Sequence, residues 1–86
     1  MIVIGKGTVI RPDALTPHVI DDEMRVVGEL KAEGFITSAY RRSEGPGFYF
    51  LAEGPSLDAV RERIDNALPL VIANFATVEY DAIYEI

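Results

Sequence analysis

The chain has 86 residues, and its 14 acidic and 8 basic side chains give a net charge of −6, a balance that repels phosphate backbones and argues against nucleic acid as a partner. It has no cysteine, which excludes thiol catalysis, disulfide staples and cysteine-ligated zinc, and one histidine, too few for a histidine-cluster metal site. Hydrophobic residues make up 49% of a single small domain. Such a domain buries only roughly 60–65% of its unfolded surface, so further burial between copies of the chain is expected.

Met1 to Ile10 is rich in Ile and Val and reads as a strand ahead of Arg11-Pro12-Asp13. It is too short and too strand-like for a signal peptide, and no apolar run approaches a membrane span. With the lack of cysteine, this fits a reducing cytoplasm and no membrane partner. Gly5 and Gly7 weaken the strand and predict that another group approaches its backbone closely.

Thr16-Pro17 supplies an N-cap and a first-turn proline, and Gly34 a C-cap, so helix one is predicted over Pro17 to Glu33. Its apolar stripe runs through Val19 or Ile20, Glu23 or Met24, Val27 and Leu30. Phe35 to Arg42 and Gly47 to Glu53 read as a hairpin around Ser43-Glu44-Gly45-Pro46. Ser56 caps helix two, whose stripe is Leu57, Val60, Ile64 and Leu68, and Pro69 stops it. Phe75 to Ile86 reads as a last long strand, with Val78, Tyr80, Ala82, Tyr84 and Ile86 on one face.

The order β-α-β-β-α-β predicts one α+β, ferredoxin-like domain over residues 1–86, an antiparallel sheet with both helices on one side. Each half is β-α-β, without a sequence repeat. In the hairpin, Phe48 and Phe50 oppose Tyr49 and Leu51, so the sheet is apolar on both faces. A second copy packed on the uncovered face would make a symmetric homodimer.

Asp22-Glu23, Leu30 with Glu33-Gly34, Tyr40-Arg41, Gly45, Tyr49, Pro55-Ser56, Leu68-Pro69-Leu70 and Val78-Glu79 form a set spread from about Asp21 to the end. As a set they resemble the muconolactone isomerase-like family of the dimeric α+β barrel superfamily. The resemblance implies a ferredoxin-like subunit that pairs into a barrel and can assemble further. It also implies a cofactor-free activity, in aromatic-compound catabolism, that moves a double bond within an unsaturated lactone. The chain departs from the family pattern in stopping at Ile86, in carrying Phe35, Ser38 and Tyr40 in place of a Trp- and His-rich strand, and at Arg42-Ser43-Glu44.

Double-bond migration needs a base next to the carbonyl system, donors for the resulting dienolate, and return of the proton at another carbon. Glu23 is the candidate base if it points between helix and sheet; otherwise it and Asp22 are solvated acids complementing the helix dipole. His18, one turn before Asp22, is the only imidazole of the chain, the side-chain type suited to proton transfer, and is placed at the pocket mouth or in solvent. Arg41 is the candidate anion holder, because a guanidinium grips carboxylates and enolates bidentately; a surface or interface ion pair is its alternative. Tyr40 must face opposite to Arg41, and with Tyr49, Ser38 and Asp22 it completes the candidate substrate-binding set. Tyr80 and Tyr84 read as core or interface residues, and Glu79 and Asp81 as charges protecting an edge strand. No metal and no cofactor is expected. The same scaffold would serve a cyclase-like or cofactor-independent oxygenase, or a non-catalytic small-molecule-binding oligomer, because fold does not choose among them.

Overall fold

A computed structural model describes residues 1–86. Both long helices begin as the sequence predicts. Thr16 Oγ1 accepts the Val19 N–H at 3.2 Å at the start of α1 (Pro17–Ala32), and Ser56 Oγ accepts the Ala59 N–H at 3.1 Å at the start of α2 (Leu57–Ala67). At the end of α1, Gly34 takes φ +81°. Its N–H donates to Lys31 O while the Phe35 N–H reaches Leu30 O, and buried Leu30 and Phe35 lie at the two ends of that motif.

Leu68, held extended before proline, ends α2. Pro69 does more than the stop expected of it, because it also opens a further turn, α3 (Pro69–Ile72). That turn closes as α1 does: Asn74 takes φ 61°, its N–H donates to Val71 O, and the Phe75 N–H donates to Leu70 O. The β-α-β duplication is therefore visible in the helix exits, where a left-handed residue followed by phenylalanine occurs twice.

The sheet is antiparallel throughout, in the order β2-β3-β1-β4, with β1 at Ile2–Val9, β2 at Ile36–Arg41, β3 at Gly47–Glu53 and β4 at Ala76–Ile83. The last strand is shorter than the sequence suggests. Ile83 pairs with Ile2, the first residue of β1, so Tyr84 to Ile86 have no strand to join.

Val3, Ile36, Phe50, Ala52, Val60, Ile64 and Leu68 form the main core between sheet and helices. Gly5 and Gly7 are explained by their neighbours on β3. The Phe50 and Phe48 rings lie across them, so close that a Cβ at either glycine would fall 2.2 Å from a ring carbon. One irregularity matters for the site: between Ile36 and Ser38, Thr37 is an extra residue against β3, with its hydroxyl donating to Leu51 O at 3.3 Å.

The far face of the sheet has no helix over it. There Tyr40, Tyr49, Lys6 and Glu79 form one cross-strand row, and Ser38, Leu51, Ile4 and Asp81 form the next. No helix of the chain is long and apolar enough to cross a membrane.

Candidate active site

Between α1 and the β2–β3 half of the sheet lies a cavity of about 480 Å³. Phe48 and Phe50 form its floor, made possible by the glycines beneath them, and Ile20, Met24 and Val27 of α1 form a wall. Leu68 and Leu70 close the inner end, and Arg41 stands at the edge-strand side. The lining carries two charged residues, Glu23 and Arg41.

Glu23 sits on the core-facing stripe of α1 with Leu30, at 7% exposure, a rare position for a carboxylate. Its Oε1 accepts the Leu70 N–H at 3.1 Å. Its Oε2 has no partner in the chain, yet no buried polar side-chain atom is left unsatisfied, so Oε2 opens on the cavity that Glu23 lines. Burial pushes the Glu23 pKa upward; the Leu70 hydrogen bond pulls the other way, and the nearby Asp22 charge adds to the rise. A carboxyl group whose proton affinity is raised by an apolar pocket can both take and return a proton.

The structure brings Glu23, Arg41 and, at the mouth, Tyr40 to one cavity and places the other expected residues elsewhere. His18 is exposed and lines no part of it. Five residues at roughly 100° each place it about 140° around the helix from Glu23. Asp22 does not meet His18 but is held by Arg25 at 2.8 Å, which also grips Glu29 at 2.6 Å on the solvent side of α1. Tyr49 and Ser38 lie on the uncovered sheet face, away from the cavity. Tyr40, 61% exposed, borders the mouth from the edge strand while its position opposite Tyr49 aims the ring at that same uncovered face. These placements leave His18, Asp22, Tyr49 and Ser38 outside this cavity.

The Thr37 bulge decides which member of the Tyr40-Arg41 pair turns inward. Ile36 opposes Ala52 on the helix side; after the extra residue, Ala39 opposes Phe50 and Arg41 opposes Phe48 on that side. A regular strand would have put Ser38 and Tyr40 there instead. Arg41 forms no ion pair with any acid of the chain.

Sequence reasoning missed the contribution of Leu70, which acts through its main-chain N–H, and the aromatic floor. The pairing of two glycines with two phenylalanines on neighbouring strands was the available signal for the floor. Tyr80 lines no part of the cavity and packs against the Phe50 ring and the main core, as expected of a packing residue. Its hydroxyl donates to Asp65 at 2.6 Å and Arg61 stacks over its ring. Burial, then the Asp65 bond, raises its pKa and keeps the phenol protonated. Glu79 and Asp81 are exposed on the edge strand β4. No group of three or more His, Asp or Glu side chains gathers in a way that could hold a metal.

No protein-family model and no curated protein matches the sequence. Among solved structures, a crystal structure of muconolactone isomerase superposes with a TM-score of 0.80 at 23% identity, covering 100% of this chain and 91% of that one. The 5-chloro-2-hydroxyhydroquinone dehydrochlorinase of Burkholderia phenoliruptrix, in complex with 2,5-dihydroxybenzoquinone, superposes with a TM-score of 0.72 at 17% identity over 98% and 94% of the two chains. The α+β, ferredoxin-like subunit read from the sequence is thus the fold of two enzymes, muconolactone isomerase among them.

Proposed function

We propose that this chain is a small, cofactor-free isomerase of the muconolactone isomerase type, acting on an unsaturated lactone or related enolisable metabolite of aromatic-compound catabolism. The observation that carries the reading is Glu23: one carboxylate in an apolar cavity, with one oxygen fixed by Leu70 and the other open. The fold likeness to an isomerase and to a dehydrochlorinase supports an enzyme. Both names describe reactions of small unsaturated rings.

Glu23 Oε2 takes a proton from the saturated ring carbon attached to the C=C–C=O system of the lactone. The C–H electron pair moves into the ring system and gives a dienolate. Arg41, unpaired at the mouth, holds the anionic oxygen or an anionic substituent, and the Glu23 carboxylic acid returns the proton at the far carbon of the conjugated system. The net change is a shifted double bond. The hydrophobic walls exclude water that would otherwise hydrolyse the lactone or quench the dienolate. The subunit is proposed to work as a cytoplasmic homodimer joined through the uncovered sheet face, a unit that can assemble further.

Incubation with muconolactone, followed by ultraviolet absorbance, tests the activity. Glu23→Gln keeps an acceptor for Leu70 but removes the base, and should lower kcat by roughly 10²–10⁴-fold. Absence of turnover in the unmodified protein removes the named reaction. Turnover that survives Glu23→Gln removes the base assignment.

A further inference from the structure

The Leu68-Pro69-Leu70 corner makes a single main-chain donor available to the cavity. Pro69 has no N–H, while the Val71 and Ile72 N–H groups both donate to Leu68 O at 3.0 Å. That leaves the Leu70 N–H, and Glu23 Oε1 occupies it from 47 residues away in the chain. The contact is buried, and it ties α1 to the corner at the point where the cavity ends.

We infer that the Leu70 main-chain N–H is the positioning group of the Glu23 base: by holding Oε1 it assigns both proton transfers to Oε2 and fixes where that oxygen stands over the aromatic floor. The inference rests on the base reading given above. A free glutamate side chain has three rotatable bonds, and two equivalent oxygens would present the base in several geometries. With Oε1 bonded, rotation of the carboxyl group is blocked and one lone-pair set faces the cavity. The same bond favours the ionised carboxylate and so opposes the effect of burial. Few other charges face this group. Asp22 neighbours it on α1 and is paired with Arg25, and Arg41 and Tyr40 of β2 line the same cavity. β1 and β3 present Val9, Phe48 and Phe50, and α3 presents Leu70.

An 86-residue chain is within reach of total synthesis by ligation, which permits an amide-to-ester exchange at Leu70 that removes the N–H and keeps the side chain. The same exchange at Val71, whose N–H serves Leu68 O, is the control for damage to the corner. Two readouts are taken: the carbon-13 titration of the Glu23 carboxyl, and the pH profile of kcat on muconolactone. Loss of the Leu70 N–H should weaken the acidity of Glu23 roughly tenfold or more and move the acid limb of kcat upward by the same interval. KM should stay within about twofold, since the apolar contacts remain. A Glu23 titration unmoved by the Leu70 ester, or moved equally by the Val71 ester, overturns the inference. So does a loss of kcat at all pH values with no shift of the limb. If the unmodified protein shows no turnover, the isomerase reading fails on its own, and the carboxyl titration still decides whether Leu70 controls Glu23.

Discussion

Gly5→Ala tests the packing that makes the cavity floor. The added Cβ would lie 2.2 Å from Phe50 Cζ, 2.4 Å from Cε1 and 2.7 Å from Cε2. Carbon atoms settle at about 3.5–4 Å, so the ring must retreat by roughly 1.3 Å or more. It has little room to do so. Phe50 is 2% exposed, and its centroid lies 6.3 Å from both the Phe48 and the Tyr80 rings. Overpacking of this kind costs about 1–3 kcal/mol, while the alanine recovers about 0.4–1 kcal/mol by restricting the unfolded chain. The net expectation is a loss of about 1–2 kcal/mol, or roughly 5–15 °C in Tm for a domain of this size. Thermal and urea unfolding followed by circular dichroism, at fixed protein concentration, measure it. Combining Gly5→Ala with Phe50→Leu, which vacates the contested space, should recover at least about 1 kcal/mol relative to additivity. A Gly5→Ala variant as stable as the parent, or a strictly additive double variant, refutes the close approach of ring and backbone.

Glu23→Gln should stabilise the protein at neutral pH even as it removes the proposed base. Burial raises the carboxyl pKa above its ordinary 4.5 in the folded state. The folded chain therefore holds that proton more tightly than the unfolded chain does. Its contribution to stability is full below the ordinary value and is lost as pH rises through the raised one, at about 1.4 kcal/mol per unit of difference. Urea midpoints at pH 4 and pH 7 should show the advantage of the glutamine variant only at the higher pH; no advantage there contradicts the buried charge. On the uncovered sheet face, Leu51→Lys should leave the circular dichroism spectrum intact and shift sedimentation toward the monomer. A parent protein that already sediments as a monomer at micromolar concentration removes the homodimer expectation.

The fold was legible because its instructions are local. Thr16 and Ser56 are side-chain caps, Gly34 is a left-handed stop, and the hairpin phenylalanines alternate with Tyr49 and Leu51. Glu23 was legible as an inward candidate because it falls in helical register with Leu30. The rest of the site depends on features that side-chain identity does not encode. Asp22 and His18 were grouped by their one-turn spacing, but Arg25 lies three residues from Asp22 and takes it. Leu70 contributes a main-chain group, which any residue except proline would supply. The bulge at Thr37 shifts the alternation of β2 by one, and a two-residue period read from sequence cannot locate such a shift. Asn74 was equally silent, since asparagine enters left-handed backbone only where the surrounding turn requires it.

The bulge also makes β2 unequal in its tolerance of length change. Removing Thr37 would straighten the strand and leave Ala39 and Arg41 facing the helices as before, because the extra residue is the one that carries no pairing. Removing a residue after it, such as Ala39, would put Tyr40 opposite Phe50, turn Arg41 out and bring Arg42 opposite Phe48, so that a phenol enters the cavity where alanine stood. A single-codon deletion is thus silent at one site and rewrites the chemistry of the cavity mouth two residues later. Divergence in what such a pocket accepts can proceed along this edge strand through changes of length as well as of residue type.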